Sequence, residues 1–280
     1  MHSFNPLIPT GADINAVQDD GVSCLYSASH FGHSDVVHAL IQRRVNVHHV
    51  NNDGLSPLHL AASDGNRKII KLLVEAGAHV DRKSVNGETA LTAAINAGQT
   101  GSVKSLVHSG ANITSQDKFG WGPLNLACSI GNLSIVKVLL DSGCNVNTLL
   151  GSGTPLHVSA GSGHIELTRY LHNRGADINR IDDCGCAPVH YAAQHGHVMI
   201  VEYLYQNGAN LNTRQNEGAT PLYLATYFGQ ADVVNCLLTL GADVRIPDVS
   251  NCSPLDVAKM AQNWPLVEML EKLRESMVIG

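Results

Sequence analysis

Residues Thr154–Asn179 read TPLHVSAGSGHIELTRYLHNRGADIN, and this stretch decides the fold. Thr154 ahead of Pro155 is a helix start. The hydroxyl can accept from an unpaired N–H of the first turn, and proline sits where a missing N–H costs nothing. Leu156, Ser159 and Ala160 then fall at i, i+3 and i+4, one face of a short helix. Gly163 ends that helix, because glycine takes the left-handed conformation at little cost. A second helix follows with Leu167 and Leu171 on its inner face, and Gly175 stops it.

The same pattern recurs along the chain. The Thr154 place is taken by Ser23, Ser56, Thr89, Gly122, Ala187, Thr220 and Ser253, in steps of 33 residues except the 32 from Gly122 to Thr154. Gly163 recurs as Gly32, Gly65, Gly98, Gly131, Gly196 and Gly229, and Gly175 as Gly77, Gly110, Gly143, Gly208 and Gly241. A fixed period of this length with T-P-L-H-x-A resembles the ankyrin repeat family. The resemblance covers nearly the whole chain. It implies an all-α repeat protein, an ankyrin α-solenoid of helix-turn-helix units joined by short β-hairpin fingers.

Composition sets the outer limits. A chain of 280 residues would ordinarily make about two globular domains, but a solenoid grows by stacking units around no single core. The net charge of −6 gives no general electrostatic case for nucleic acid or an anionic membrane. No apolar run reaches the roughly 18 residues of a membrane span, and MHSFNPLIPT lacks both a basic start and an apolar signal core. The seven cysteines are an odd set, expected mostly inside helices at small-residue positions as reduced thiols. A cytoplasmic chain is expected, with the nucleus as a second compartment.

The repeats start near residues 18, 51, 84, 117, 149, 182, 215 and 248, so 19–280 reads as one array whose last unit is a C-terminal cap. In that cap Gln262 replaces the glycine that ends the first helix. Residues 1–18 read as a degenerate half repeat, either a makeshift cap or the cut edge of a longer array, with Pro6 and Pro9 opposing a regular helix there.

Catalytic signatures do not occur: G-x-x-x-x-G-K-[ST], H-E-x-x-H and G-x-S-x-G are all missing from the sequence. An enzyme is therefore not expected, nor a cofactor. The histidines follow the repeat. His59, His157 and His190 hold the T-P-L-H place, where the resemblance implies a hydrogen bond to the threonine or a neighbouring loop; His33, His164 and His197 follow the loop glycine. Cys184 and Cys186 near His190 are the best metal-like group, but no second pair stands at zinc-finger spacing, so no metal is expected.

Binding is the function the residues support. The resemblance implies that the finger tips and the exposed end of each first helix line one concave face. In repeat four those places hold Phe119, Trp121 and Ile130, followed by Leu149 and Leu150 on the next finger. Aromatic and aliphatic side chains on an exposed face have the composition of an interface hot spot. Packing onto neighbouring fingers is the competing role for Phe119 and Trp121. Tyr227 and Phe228 are secondary binding candidates, although aromatics before the repeat glycine commonly pack. The family resemblance also implies asparaginyl hydroxylation at L-x-x-x-x-x-[DE]-[VI]-N; Leu171, Asp177 and Asn179 fit, as do Leu7, Asp13 and Asn15.

The expected function is thus a non-catalytic scaffold or adaptor, a monomer that binds another protein and neither nucleic acid nor membrane. The alternatives are a substrate-recognition subunit of a ubiquitin ligase, or the targeting module of a larger enzyme or channel.

Overall fold

The computed structural model describes residues 13–151 and 153–279, with side chains described through Lys272. The helices come in pairs, a first (inner) one and a second (outer) one: α1 (Cys24–His30) and α2 (Ser34–Gln42), α3 (Pro57–Ser63) and α4 (Arg67–Glu75), α5 (Ala90–Asn96) and α6 (Thr100–His108), α7 (Pro123–Ile130) and α8 (Leu133–Asp141). The second half continues with α9 (Pro155–Gly161) and α10 (Ile165–Asn173), α11 (Pro188–Gln194) and α12 (Val198–Gln206), α13 (Pro221–Tyr227) and α14 (Ala231–Thr239), α15 (Pro254–Met260) and α16 (Trp264–Ile279). The described residues fall into two compact units. One runs to Ala127 and takes in Ser134–Cys144; the other is Cys128–Leu133 with the residues from Asn145 on.

Helices of seven or nine residues are too short to persist alone, so their stability comes from stacking. In the first unit α3 packs between α1 and α5, and α4 between α2 and α6. In the second, α11 packs between α9 and α13, α13 between α11 and α15, while α10, α12, α14 and α16 form the outer row. Sandwiching buries two of the inner helices nearly all round: every residue from Ala90 to Ile95 is buried in α5, and every residue from Pro155 to Ala160 in α9.

Inner helices α1, α5 and α13 start with the hydroxyl cap that the sequence predicts. The Ser23 hydroxyl accepts from Tyr26 N, that of Thr89 from Thr92 N and that of Thr220 from Tyr223 N. The loop glycines do two jobs. Gly163 has φ +80°, and a Cβ there would lie 2.7 Å from His197 Cε1, because the His197 ring lies over it and bonds through Nε2 to Gly161 O at 3.0 Å. His164 covers Gly131 in the same way and reaches Ser129 O at 3.1 Å. Gln230 and Asn66 replace histidine in this link, bonding to Gln194 O and Ser29 O.

The fingers are turns more than strands; among the described residues the bridges are the isolated pairs Val17–Ser23 and Leu150–Gly153. Their tips are stitched by backbone bonds from one repeat to the next, Asn52 N to Asp20 O and Val85 N to Asp53 O in the first unit. Asn216 N to Cys184 O and Val249 N to Glu217 O, both 2.9 Å, do the same in the second.

Cysteine placement departs from the expectation. Cys24, Cys128 and Cys236 lie in helices, whereas Cys144, Cys184, Cys186 and Cys252 lie in loops and fingers. A finger turn leaves a side chain half-exposed and accepts a small polar residue as readily as a helix does.

Candidate functional site

Five of the six repeat histidines join one repeat to another through their rings, and His33 is exposed. His59, His157 and His190 are buried, each accepting at Nδ1 from the N–H of its own helix-capping residue and reaching with Nε2 to the next finger. Both ring nitrogens are thereby used, and none remains for a metal or a substrate. Burial pushes all three imidazoles below the ordinary histidine range, His190 to about 4.

The Cys184–Cys186–His190 group does not gather into a ligand set. His190 Nε2 points to Thr213 O at 3.2 Å. Burial, with Asp182 next, raises the Cys186 thiol to about 12, so it is not a ready thiolate. Among the described residues no three His, Cys, Asp or Glu side chains could hold a metal ion.

The fingers owe their shape to one anchoring side chain. Asp117 Oδ1 accepts from Phe119 N at 2.8 Å and Trp121 N at 2.9 Å. Asp182 does the same for Cys184 N and Cys186 N, and Asp248 for Ser250 N and Cys252 N. This turn throws the residue at the tip outward. Phe119 is 71 % exposed, with Lys118 Nζ 5.0 Å above its ring. Lys118 is itself held by Asn86 Oδ1 at 2.7 Å. Trp121 is half-buried. These two belong to the first compact unit; Ile130, exposed, and Leu149 and Leu150, both half-buried, belong to the second.

Tyr227 and Phe228, weighed as packing residues by sequence, are 62 % and 48 % exposed, their rings 5.2 Å apart at 72°. Two further residues escaped the sequence reading. Met260 closes α15 as Tyr227 closes α13 and is 72 % exposed; Val249 tips the finger of the same repeat and is 69 % exposed. Met260 sits one period on from Tyr227, but the last repeat reads as a cap, which in sequence marks an end and not a binding face.

Asn179 is exposed, yet its amide is engaged at both ends. Oδ1 accepts from Asn210 N at 3.2 Å and Nδ2 donates to Gly208 O at 2.9 Å, while Asn179 N donates to Asp177 Oδ1. Asn147 makes the matching pair with Asp177 N and Gly175 O. Asn15 Oδ1 takes Asn46 N at 2.8 Å; Leu7 of its motif lies outside the described residues.

A sequence profile described as Ankyrin repeats (3 copies) matches residues 2–84, 25–117, 91–182, 124–215 and 156–248. The chain belongs to the ankyrin repeat family. Members of this family generally mediate protein–protein interaction. Among solved structures, the human ASB11 ankyrin repeat domain is similar at 29 % identity and TM-score 0.72, covering 79 % of this chain and 99 % of that one. The ankyrin repeat domain of Bcl-3, described as a unique member of the IkappaB protein family, is similar at 29 % identity and TM-score 0.63, covering 74 % and 95 %. A search of the curated proteins found no significant match. Among the described residues no helix is long and apolar enough to cross a membrane.

Proposed function

We propose that this chain is a non-catalytic adaptor that binds another protein through its finger tips and the exposed ends of its inner helices. The observation that carries the reading is Phe119, a large apolar side chain held outward by the Asp117 turn, 71 % exposed, with a lysine over its ring. Grouped exposed apolar side chains, not single ones, mark an interface, and Trp121 stands two residues from Phe119 on the same finger. A pre-formed face loses little entropy on binding, so a few anchors suffice for useful affinity. Trp121 beside it, and Ile130, Leu149 and Leu150 on the second unit, are the further candidates.

The test is affinity capture from a cell lysate, comparing the parent chain with Phe119→Ser, with a melting curve run beside it. Loss of a captured protein by a variant with the parental melting curve supports the reading; retention of every partner sinks it. Trp121→Ser belongs in the series only with that stability control, because the indole is half-buried.

Asn179, exposed within a motif of the hydroxylation type, is proposed as the modification position. Its amide holds the next repeat, so reaction requires the loop to leave the array. Mass spectrometry after incubation with an asparaginyl hydroxylase should show one added oxygen on the peptide bearing Asn179. An unmodified peptide removes the proposal.

A further inference from the structure

The last three repeats carry an apolar strip beside unpaired acids, and the chemistry of the two together specifies a partner. Tyr223 OH donates to Asp248 Oδ2 at 2.9 Å, which turns that face of α13 toward the finger of repeat eight. Tyr227 stands four residues on, one turn along the same face. Met260 holds the equivalent place on the neighbouring α15, and neighbouring helices lie roughly 8–10 Å apart. Tyr227, Phe228 and Met260 are thus exposed apolar side chains at the same end of neighbouring inner helices, and Val249 is exposed at the finger tip of the last repeat.

The fingers of these repeats are acidic. They carry Asp182, Asp183, Glu217 and Asp248 against Arg180 and Arg214. The Arg214 guanidinium bonds to two carbonyls, Gly218 O at 3.1 Å and Pro247 O at 3.0 Å, and its charge also acts on Asp248 without an ion-pair contact. Asp182 and Asp248 are occupied by backbone N–H groups and by the Tyr191 and Tyr223 hydroxyls, and these neutral donors leave the charge in place. Asp183 and Glu217 are exposed at the tips. None of the four forms an ion pair among the described residues. On inner helices α11 and α13 no residue is charged, and Lys259 of α15 is taken by Glu271 at 2.8 Å.

We propose that repeats six to eight dock a cationic protein segment that places a large apolar side chain against Tyr227, Phe228 and Met260 and a lysine or arginine against Asp183 and Glu217. The inference rests on the interaction reading above and adds to it the partner's chemistry. The exposed aromatic faces also suit a cation directly, since a ring face attracts positive charge.

The intact chain is panned against a phage-displayed library of short random peptides, and an enriched peptide is labelled and titrated by fluorescence anisotropy. Enriched sequences should combine lysine or arginine with an aromatic or long aliphatic residue. Tyr227→Ser with Met260→Ser should weaken binding about tenfold or more, the size of a lost anchor. Asp183→Asn with Glu217→Gln should weaken it roughly fivefold at low salt and flatten its salt dependence. Enrichment of uncharged or acidic peptides that are lost with Tyr227→Ser keeps the interaction reading and overturns the cationic one. Enriched peptides indifferent to both double variants, or no enrichment over an unrelated folded protein, overturn the strip itself. Capture lost with Phe119→Ser would still support the broader reading in either case.

Discussion

His157 Nε2 lies 2.9 Å from the carbonyl oxygen of Cys186, one repeat further on. Its other nitrogen faces Thr154 N at 3.1 Å, and a backbone N–H can only donate, so Nδ1 is bare and the proton sits on Nε2. A second proton would meet that N–H head-on inside a buried site. The ring that joins two repeats is therefore a neutral one.

Stability should fall in mild acid as a consequence. Burial, the leading cause, holds His59, His157 and His190 below the model-peptide value of 6.5, His190 at about 4. Below pH 6.5 the unfolded chain takes up protons that the folded chain refuses. The contribution is thus complete above that pH and shrinks as pH drops toward 4. His190 alone accounts for about 3 kcal/mol over that window. Urea denaturation at neutral pH and near pH 5 measures it; a flat profile, or one restored by no histidine substitution, would refute the account.

Ala187→Thr should stabilise the chain. At the equivalent site the Thr154 hydroxyl stands 2.8 Å from His157 Nδ1, whereas His190 Nδ1 has only Ala187 N, at 3.0 Å. Restoring a capping hydroxyl gains about 1 kcal/mol. Thr154→Ala should lose a similar amount, and urea midpoints for the pair decide the matter.

The repeat period, the helix caps and most histidine roles were legible because the same side chains recur in most units and do the same work there. Other features depend on stacking, which no single repeat displays. Asn179 reaches Asn210 N, a bond that exists only once repeats register. Met260 stayed hidden for a different reason: a cap sequence with Gln262 in place of glycine suggested an end, not a surface. Tyr227 and Phe228, secondary binding candidates, read more readily as packing residues because aromatics before the repeat glycine commonly pack, and only their exposure at the end of α13 shows otherwise.

Arg44 and Gln262 should each gain from replacement by glycine. They hold φ +61° and +54° at places where other repeats use glycine, a conformation costing L-residues roughly 1–2 kcal/mol. The greater freedom of unfolded glycine returns part of this, leaving a net gain of about 0.5–1 kcal/mol. Asn251, at φ +62°, should gain less, since asparagine tolerates that region. Equal gains at all three positions would argue against the conformational cause.

Asn179→Ala should cost about 1–2 kcal/mol by removing the bonds to Asn210 N and Gly208 O. Asn179→Asp keeps the acceptor for Asn210 N but sets a carboxylate oxygen against Gly208 O, so it should cost at least as much as alanine. A surface asparagine without this linking role would show no change in either variant.

Gly163→Ala and Gly175→Ala separate backbone strain from crowding. Both glycines have positive φ, +80° and +91°, so each substitution carries the left-handed cost. At Gly175 nothing lies within 4 Å of an added Cβ, and that cost of roughly 1–2 kcal/mol is the whole effect. At Gly163 the new methyl meets His197 Cε1 at 2.7 Å, so the ring must leave and the bond from His197 Nε2 to Gly161 O is lost with it. Gly163→Ala should therefore be the more damaging by about 1 kcal/mol. In a double-mutant cycle with His197→Ala, the extra cost should vanish, because the clash and the bond are already gone. If the two glycines prove equally sensitive, or the cycle shows no coupling, the histidine lid is not what holds Gly163 to glycine.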